Sequence, residues 1–430
     1  MKQRRFVVVG GGASGIFAAI AAARKGADVT VLEATTKPLR KVILSGGGRC
    51  NVLHRPLSTA KDLISNYPRG KRALLGLFTS RWTQKDTYDW FEREGVALKV
   101  EADGRCFPTT DDSTTVSNAL LAAAEDAGVR IVLGARVESI DPSPWTLRYR
   151  LKRARGAEGA QPSHETIAAD AVMLATGSAP VGYALCRDLG LDVVAPIPSL
   201  FSFRLEAGHA LEGLQGVALR DCELSFARAA PRREKRITQR GPLLVTHNGV
   251  SGPAALRLSS FAALELSECG YSGALRLAVV PGLTPAKARA VFRAHRESVS
   301  GKSLVKNSSP FETLPRRVWG ALSAAATGDS ARRWADLRKE EEEALVRALT
   351  ALELPFRGKD SNKDEFVTAG GVALSEINTR SMEAKNDKLK GLYFAGEVLN
   401  VDGVTGGFNF QACWSGGHIA GEAAARDVGS

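Results

Sequence analysis

Residues 6–33 read FVVVGGGASGIFAAIAAARKGADVTVLE, and the order of residue types along this stretch decides the fold. Phe6-Val7-Val8-Val9 is uncharged and β-branched after its first residue, as suits a strand buried on both faces. Gly10, Gly12 and Gly15 follow with the spacing G-x-G-x-x-G. In that pattern Gly10 permits a tight turn, Gly12 keeps a Cβ away from an approaching pyrophosphate, and Gly15 lets the next helix pack against the strand. Ala13 and Ser14 open that helix, which is expected to run to about Lys25. Its first-turn N–H groups and positive dipole end suit a phosphate. Gly26 stops the helix, Ala27 to Leu32 form a second strand, and Glu33 closes the unit. An acid there accepts hydrogen bonds from ribose hydroxyls and repels a 2′-phosphate. Three glycines alone are a weak signal. The preceding strand, the following helix and the acid distinguish a dinucleotide-binding unit from an ordinary glycine turn.

At 430 residues the chain is too long for one ordinary core, so two or three domains are expected. A hydrophobic content of 44% with 43 glycines fits an α/β protein. No apolar run reaches the roughly 18 residues that span a bilayer. The basic start MKQRRF leads into the glycine turn rather than into a cleavable apolar segment, so the reading is cytoplasmic, with no membrane partner. The six cysteines are scattered without a CxxC pair, which argues against a zinc site and against thioredoxin-type redox chemistry; no metal is expected. The 58 Lys and Arg against 46 Asp and Glu leave a net charge of +12. Either an anionic partner or simply a solvated basic surface accounts for it.

A second glycine-rich patch follows at 34–54, ATTKPLRKVILSGGGRCNVLH. Val42-Ile43-Leu44 is too short for a full core strand, and Ser45-Gly46-Gly47-Gly48 cannot hold a helix. With Arg40, Lys41 and Arg49 around it, the patch reads as a loop that approaches an anion or a flat polar ring. Residues 60–128 read as mainly helical, with extended pieces near Leu98 and Phe107 and an amphipathic helix from Ser113 to Asp126. Strands are expected at 129–133 and 135–140, then a meander over 146–175 with a turn near Gly156 to Gly159. Its last strand, Ala171 to Leu174, leads into a second strand-to-glycine turn, Ala175-Thr176-Gly177.

The texture changes at 196. Short alternating strands over 196–280 predict a β-rich insertion, and 281–352 reads as helical, with one helix opened by Thr284 before Pro285 and a charged helix over Arg332 to Leu352. The run Arg228 to Arg240 carries a local charge of about +5 and is either a solvated hairpin tip or an anion contact. Nucleotide-domain texture returns in the closing stretch: Leu392 to Ala395 as a strand, the turn Gly396-Glu397, and a small-residue helix starting at Gly406-Gly407. The expected domains are 1–195, an inserted domain at 196–362, and 363–430 completing the first, so both ends of the chain build one cofactor site.

Five stretches occurring in one order carry a family resemblance: Gly10 to Gly15; Lys41 with Ser45-Gly46-Gly47-Gly48-Arg49-Cys50-Asn51; Thr246-His247-Asn248-Gly249-Val250-Ser251-Gly252-Pro253-Ala254; Thr368-Ala369-Gly370-Gly371-Val372; and Gly396-Glu397 with Asp402-Gly403 and Gly406-Gly407-Phe408-Asn409. Together they resemble the BaiN/YhiN-type NAD(P)/FAD-dependent oxidoreductases of bacteria over nearly the whole chain. The resemblance implies an α/β fold of the FAD-binding, Rossmann-like, two-dinucleotide-binding-domains type, with a β-barrel-like and helical insertion. It implies FAD rather than NAD in the first site. Members have been linked to enone reduction, amine oxidation and reduction of uracil in ribosomal RNA to dihydrouridine. Phe408 stands where the family usually has Tyr, and Asn400 where it usually has Asp.

On this basis an extended FAD is expected to place its ribose at Glu33 and its pyrophosphate over Gly12 to Gly15, with the Val137 strand near adenine. Ala175, Thr176 and Gly177 are expected beneath its middle, with Lys41, Gly396 and Glu397 positioning it. Two walls are expected at the isoalloxazine: Ser45, Gly46, Gly47, Arg49, Cys50 and Asn51 on one side, and Gly406, Gly407, Phe408 and Asn409 at a helix N-terminus on the other. That helix end stabilises negative charge on the reduced ring. Two residues are candidates for moving a proton. Cys50 is either a thiol whose pKa a neighbouring cation lowers or a small packed residue. His247 is either an acid/base facing the cleft or a loop-capping histidine.

No second strand–GxGxxG–helix unit occurs in the insertion, so a nicotinamide docks transiently on the flavin as NAD(P)H, another donor serves, or oxygen reoxidises it. The leading expectation is hydride transfer between FAD and a substrate bound between the flavin and the inserted domain. That substrate is a small molecule or a uracil in RNA, to which the basic surface is suited. The alternatives are a non-catalytic flavin protein and an NAD-binding dehydrogenase.

Overall fold

A computed structural model describes residues 3–55, 59–152, 163–227, 237–360 and 367–426. The chain divides into two compact units, 1–197 with 367–430, and 198–366.

The first unit is built on a seven-stranded sheet. Its strands lie in the order Ile377–Asn378, Glu383–Ala384, Leu392–Phe394, Ala171–Leu174, Arg5–Val9, Asp28–Glu33 and Arg130–Leu133. The last five run parallel, and the first two add an antiparallel edge. Val7, Val8, Val172, Met173 and Phe394 are fully or almost fully buried, as a parallel sheet covered on both faces requires. From Arg5–Val9 the chain crosses through the Ala13–Ala23 helix to Asp28–Glu33 on one side, while Ala171–Leu174 pairs on the other. The connections therefore diverge at the end of the first strand, the position at which open α/β sheets hold their ligands.

The Phe408–Ala425 helix packs on the Ala13–Ala23 helix across small residues. A Cβ on Gly417 would lie 2.6 Å from the Ser14 carbonyl oxygen, and one on Gly421 would lie 2.2 Å from that of Ala18. Only glycine lets these two backbones come so close. Two antiparallel three-stranded sheets flank this frame. One comprises Leu53–His54, Arg105–Pro108 and Leu98–Val100; the other comprises Ala135–Pro142, Trp145–Leu151 and Ser163–Ala168. The expected turn at 156–159 lies outside the described residues.

The second unit holds a closed six-stranded barrel in the order Phe203–Leu205, Gly249–Ser251, Thr238–Val245, Ala218–Phe226, Ser272–Ala278 and Leu352–Lys359. Alternate residues point inward: Leu275 and Leu277, Leu354 and Phe356 are buried while their neighbours are more exposed. The closing strand comes after the helices, so a β-rich reading confined to 196–280 lacks one stave. Thr284 caps the Pro285–Ser298 helix by accepting from the Lys287 N–H at 3.3 Å, as its position before proline predicts. The charged helix is shorter than expected, Lys339–Thr350, because Trp334–Asp336 forms a separate 3-10 turn with Trp334 fully buried. Of the basic run, residues 228–236 lie outside the described residues; Arg240 pairs with Asp221 across a hairpin at 2.6 Å.

Candidate cofactor site

The three glycines of the first turn divide by what surrounds them. Gly10 has φ +111°, and a Cβ there would stand 2.4 Å from the Ala175 carbonyl oxygen. One on Gly15 would stand 1.9 Å from the Gly10 carbonyl oxygen. One on Gly12 would meet no heavy atom within 4 Å. Gly10 and Gly15 thus serve protein packing, whereas Gly12 faces open space at the start of a helix whose first-turn N–H groups have no intrahelical acceptor. Glu33 is tied to the same turn: its carboxylate accepts from the Gly11 N–H and the Thr35 N–H, each at 2.7 Å. Each oxygen keeps further acceptor capacity for a ribose hydroxyl. The Ser14 hydroxyl donates to the Ala395 carbonyl at 3.2 Å.

Ala175-Thr176-Gly177 leaves the neighbouring strand alongside this turn, with the Ala175 N–H donating to the Val9 carbonyl at 2.9 Å. Thr176 Oγ1 is buried with no hydrogen-bond partner among the described residues. Lys41 is already paired within the protein. Its ammonium pairs with Glu397 and donates to Ser178 Oγ at 3.2 Å. Glu397 also accepts from the Thr368 N–H at 2.8 Å, and its carbonyl accepts from the Tyr183 hydroxyl at 3.2 Å. Four separated stretches are therefore joined at Glu397. Gly396, at φ +79°, is a packing glycine; a Cβ on it would come 2.6 Å from Ser14 Oγ.

The second glycine patch is part helix and part turn: the glycines hold no α-helix, as expected, but the residues before them do. Val42 to Leu44 lie in helix, and the continuation is a left-handed turn with Gly46 at φ +60°, Gly47 at +68° and Gly48 at +85°. Three consecutive residues of this hand require glycine. A Cβ on Gly47 or Gly48 would meet nothing within 4 Å, while one on Gly46 would come 3.1 Å from the Asn51 N atom. Arg49 is engaged by carboxylates of the protein itself. Its guanidinium binds Glu101 at 2.6 Å and Asp111 at 2.8 Å and lies 4.0 Å from the Phe107 ring centre.

Cys50 does not become an acid of lowered pKa. It is fully buried, and burial pushes its thiol up to about 12, against a smaller lowering from the Ser45 hydrogen bond. With Arg49 engaged elsewhere, no cation is available to offset this. Cys50 also sits at φ +59°, a strained conformation for a residue with a Cβ. The Asn51 amide, oriented by its neighbours, donates to the Leu53 carbonyl and accepts from the Gly407 N–H, each at 3.1 Å.

That contact reaches the other wall, where Gly406 (φ +122°) and Gly407 (φ +91°) lead into Phe408–Ala425. Asn409 and Phe408 shape this turn through their side chains: Asn409 Oδ1 accepts from the Gly403 N–H at 2.8 Å, and its Nδ2 donates to the Gly403 carbonyl at 2.9 Å. The Phe408 ring stacks on His54, 4.8 Å between centres, and meets Tyr67 edge-on. The Tyr67 hydroxyl donates to the Phe408 carbonyl at 2.6 Å. His54 Nδ1 lies 3.2 Å from the Gly406 carbonyl oxygen, and a bidentate ion pair joins Arg69 to Asp402. Asn400 accepts from the Gly370 N–H at 3.1 Å through its side-chain oxygen, a role that needs no charge. Tyr67, Arg69 and His54 escaped the sequence reading because each reaches a partner more than 300 positions away. No local pattern marks them.

Val137 is buried in its strand, paired with Tyr149. His247 belongs to the other unit, where it is exposed on the turn between Thr238–Val245 and Gly249–Ser251; the Thr246 hydroxyl braces that turn by accepting the Gly249 N–H at 3.1 Å.

An extended dinucleotide cofactor fits this residue set. Gly12 leaves room for a pyrophosphate, two helix starts present N–H groups, Glu33 keeps acceptors for a ribose, and Thr176 has a buried hydroxyl to satisfy.

Comparison with known proteins agrees with this geometry. The family model described as HI0933-like protein Rossmann domain matches residues 4–423. A ribosomal RNA dihydrouridine synthase of Escherichia coli (strain K12) is 28% identical over 427 residues, covering 96% of each chain. A 3-dehydro-bile acid delta(4,6)-reductase of Clostridium scindens (strain ATCC 35704 / DSM 5676 / VPI 13733 / 19) is 28% identical over 437 residues, covering 99% of this chain and 100% of the other. Among solved structures, a 3-ketosteroid-delta4-(5alpha)-dehydrogenase from Rhodococcus jostii RHA1 matches with a TM-score of 0.49 at 17% identity, covering 99% of this chain and 97% of that one. The chain belongs to the HI0933-like Rossmann family, and the parallel strands of its seven-stranded sheet are those of a Rossmann domain.

Proposed function

We propose that this protein is an FAD-dependent oxidoreductase that reduces a carbon–carbon double bond conjugated to a carbonyl, using NAD(P)H as the source of electrons. The observation that carries the cofactor reading is the contrast among the first three glycines, two closed by protein and Gly12 open. The substrate class is supported by the two relatives, whose names, a dihydrouridine synthase and a delta(4,6)-reductase, both describe saturation of a double bond. FAD supplies the hydride chemistry when bound.

The chain's own residues supply the rest. N–H groups at the start of Ala13–Ala23 bind the pyrophosphate and Glu33 the ribose. Lys41, held by Glu397, lies beside the Ala175-Thr176-Gly177 turn and steadies the centre of the cofactor. The first-turn N–H groups of Phe408–Ala425 face charge that accumulates on reduction. Cys50 is a packed residue of the glycine turn.

The test is anaerobic reduction of the purified yellow protein with NADH and NADPH, followed by reoxidation with enones and with uracil-containing RNA. Reoxidation by either substrate supports the reading. A colourless protein that binds no added FAD, or a reduced flavin that none of these acceptors reoxidises, sinks it.

A second reading places the double bond in ribosomal RNA. It is favoured by the net charge of +12 together with the end-to-end match to the dihydrouridine synthase. RNA binding that weakens steeply with salt supports it; no binding at low salt removes it.

A further inference from the structure

Arg49 follows three left-handed glycines and precedes Cys50, itself at φ +59°. Four of the five residues from Gly46 to Cys50 thus share a hand that glycine tolerates without choosing. Such backbone persists where its surroundings over-determine it. The Arg49 side chain supplies that constraint. Its Nε donates to Asp111 Oδ1 at 2.8 Å, a terminal nitrogen donates to Glu101 Oε1 at 2.6 Å, and the guanidinium carbon lies 4.0 Å from the Phe107 ring centre. The same ring backs the turn, since a Cβ on Gly46 would come 3.2 Å from Phe107 Cε1. The turn is therefore closed by protein at Gly46 and open at Gly47 and Gly48, where a Cβ would meet nothing within 4 Å.

The two carboxylates are fixed in their turn. Lys99 pairs with the second oxygen of Asp111, and Arg105 donates to Glu101 Oε2 at 3.0 Å and to Asp103 Oδ2 at 2.7 Å. Lys99 and Arg105 lie on the paired strands Leu98–Val100 and Arg105–Pro108, so the chain of alternating charges is anchored in sheet. It carries three charges of each sign. Ion pairs as exposed as these add little to stability. What they add is direction, because a planar guanidinium held by two carboxylates and a ring takes one orientation.

We propose that Arg49 is a positioning residue for hydride transfer: gripped by Glu101 and Asp111, it holds the open face of the Gly46–Gly48 turn in one orientation toward the flavin ring. The inference rests on the FAD reading above and on the placement of this turn beside the ring. The requirement is for shape rather than charge. Arg49→Lys keeps the charge but loses the fork and the stacking on Phe107; Arg49→Ala loses all three. Glu101→Gln keeps an amide oxygen for Arg49 and gives up the outer bond to Arg105. Asp103→Asn alters the far end of the chain alone.

The experiment compares these four holoproteins with the unaltered protein by FAD affinity, by visible circular dichroism of the bound flavin, and by the rate of anaerobic flavin reduction at saturating NADH or NADPH. Arg49→Ala and Arg49→Lys are expected to keep FAD affinity and the urea midpoint, to change the dichroism of the flavin bands, and to slow reduction by about 100-fold, the loss that an ångström of misplacement brings. Glu101→Gln and Asp103→Asn are expected to keep both the dichroism and the rate. If Arg49→Ala does not fold, Arg49→Lys decides: altered dichroism upholds the proposal and unaltered dichroism overturns it. The dichroism also decides where neither nicotinamide reduces the unaltered protein. A Glu101→Gln as perturbed as Arg49→Ala, or an Arg49→Lys indistinguishable from the unaltered protein, overturns the proposal while leaving the cofactor reading intact. An unaltered protein that holds no FAD overturns the cofactor reading instead.

Discussion

Alanine at Gly12 and alanine at Gly15 change the same chemical group three positions apart, and the structure gives them opposite consequences. Gly12 has φ −83° and ψ −172°, an extended conformation open to any residue, and its added Cβ would touch nothing. Reducing unfolded-chain freedom stabilises by about 0.4–1 kcal/mol. Alanine is a poorer N-cap than glycine by a similar amount. The apoprotein is therefore expected to keep its stability within about 0.5 kcal/mol. The pyrophosphate, however, must approach where the methyl now stands. An overpacking cost of about 1–3 kcal/mol corresponds to a roughly 5- to 150-fold loss of FAD affinity.

In Gly15→Ala the methyl would stand 1.9 Å from the Gly10 carbonyl oxygen and 3.3 Å from the Ala175 Cβ. The helix must move off the strand, and the apoprotein loses about 3 kcal/mol or more. Urea unfolding of the two apoproteins and FAD titration followed by flavin fluorescence separate the effects. Unchanged FAD affinity in Gly12→Ala, or an apo-Gly15→Ala as stable as the unaltered protein, refutes the reasoning.

Other outcomes follow from buried groups. Burial holds the Cys50 thiol up at about 12, so at pH 8 a thiol reagent is expected to modify exposed Cys269 and leave Cys50 untouched until the protein unfolds; mass mapping of the labelled cysteines checks this. Burial also lowers His418 to about 4 from the ordinary 6.5, with Glu422 opposing, and its ring lies 3.6 Å from that of Trp82. The folded protein thus resists protonation that the unfolded chain accepts. His418 makes no demand above about pH 6.5 and destabilises progressively as pH falls towards 4. Urea midpoints over that range are expected to fall less steeply in His418→Gln. Finally, Glu397→Gln keeps an acceptor for the Thr368 N–H but loses the pairing with Lys41. Because Lys41 is more than half exposed, stability is expected to change by less than about 1 kcal/mol while FAD binding weakens, a split that calorimetry and FAD titration read separately.

Local pattern made the strand-turn-helix-strand at residues 5–33 legible, because each of its residue types has a local reason to be there. The alternating barrel strands were legible for the same cause. The closing barrel strand Leu352–Lys359 was not, since its partners lie about 80 and 150 positions earlier and a helical segment intervenes. The Ser45–Gly48 patch was recognisable as special, but its left-handed course is a property of three backbone angles rather than of composition. The partners of the cationic side chains were not legible. Lys41 and Arg49 were read as cations around a loop that approaches an anion or a flat polar ring; in the structure Lys41 pairs with Glu397, and Arg49 with Glu101 and Asp111. Residue type fixes a charge, but only the fold fixes its partner. Cys50 fell with Arg49, because lowering its pKa depended on a cation that faces elsewhere.

The close crossing of the Ala13–Ala23 and Phe408–Ala425 helices has a consequence in time. A ribosome makes the first of these helices some four hundred residues before the second. Through almost the whole of translation the apolar face made by Ile16, Phe17 and Ile20 has no Trp414 and no glycine backbone to lie against. The barrel unit, contiguous over 198–366, can meanwhile close as soon as it clears the exit tunnel. The first unit to begin is thus the last to finish, and the nascent chain carries an exposed sticky helix as its longest-lived liability.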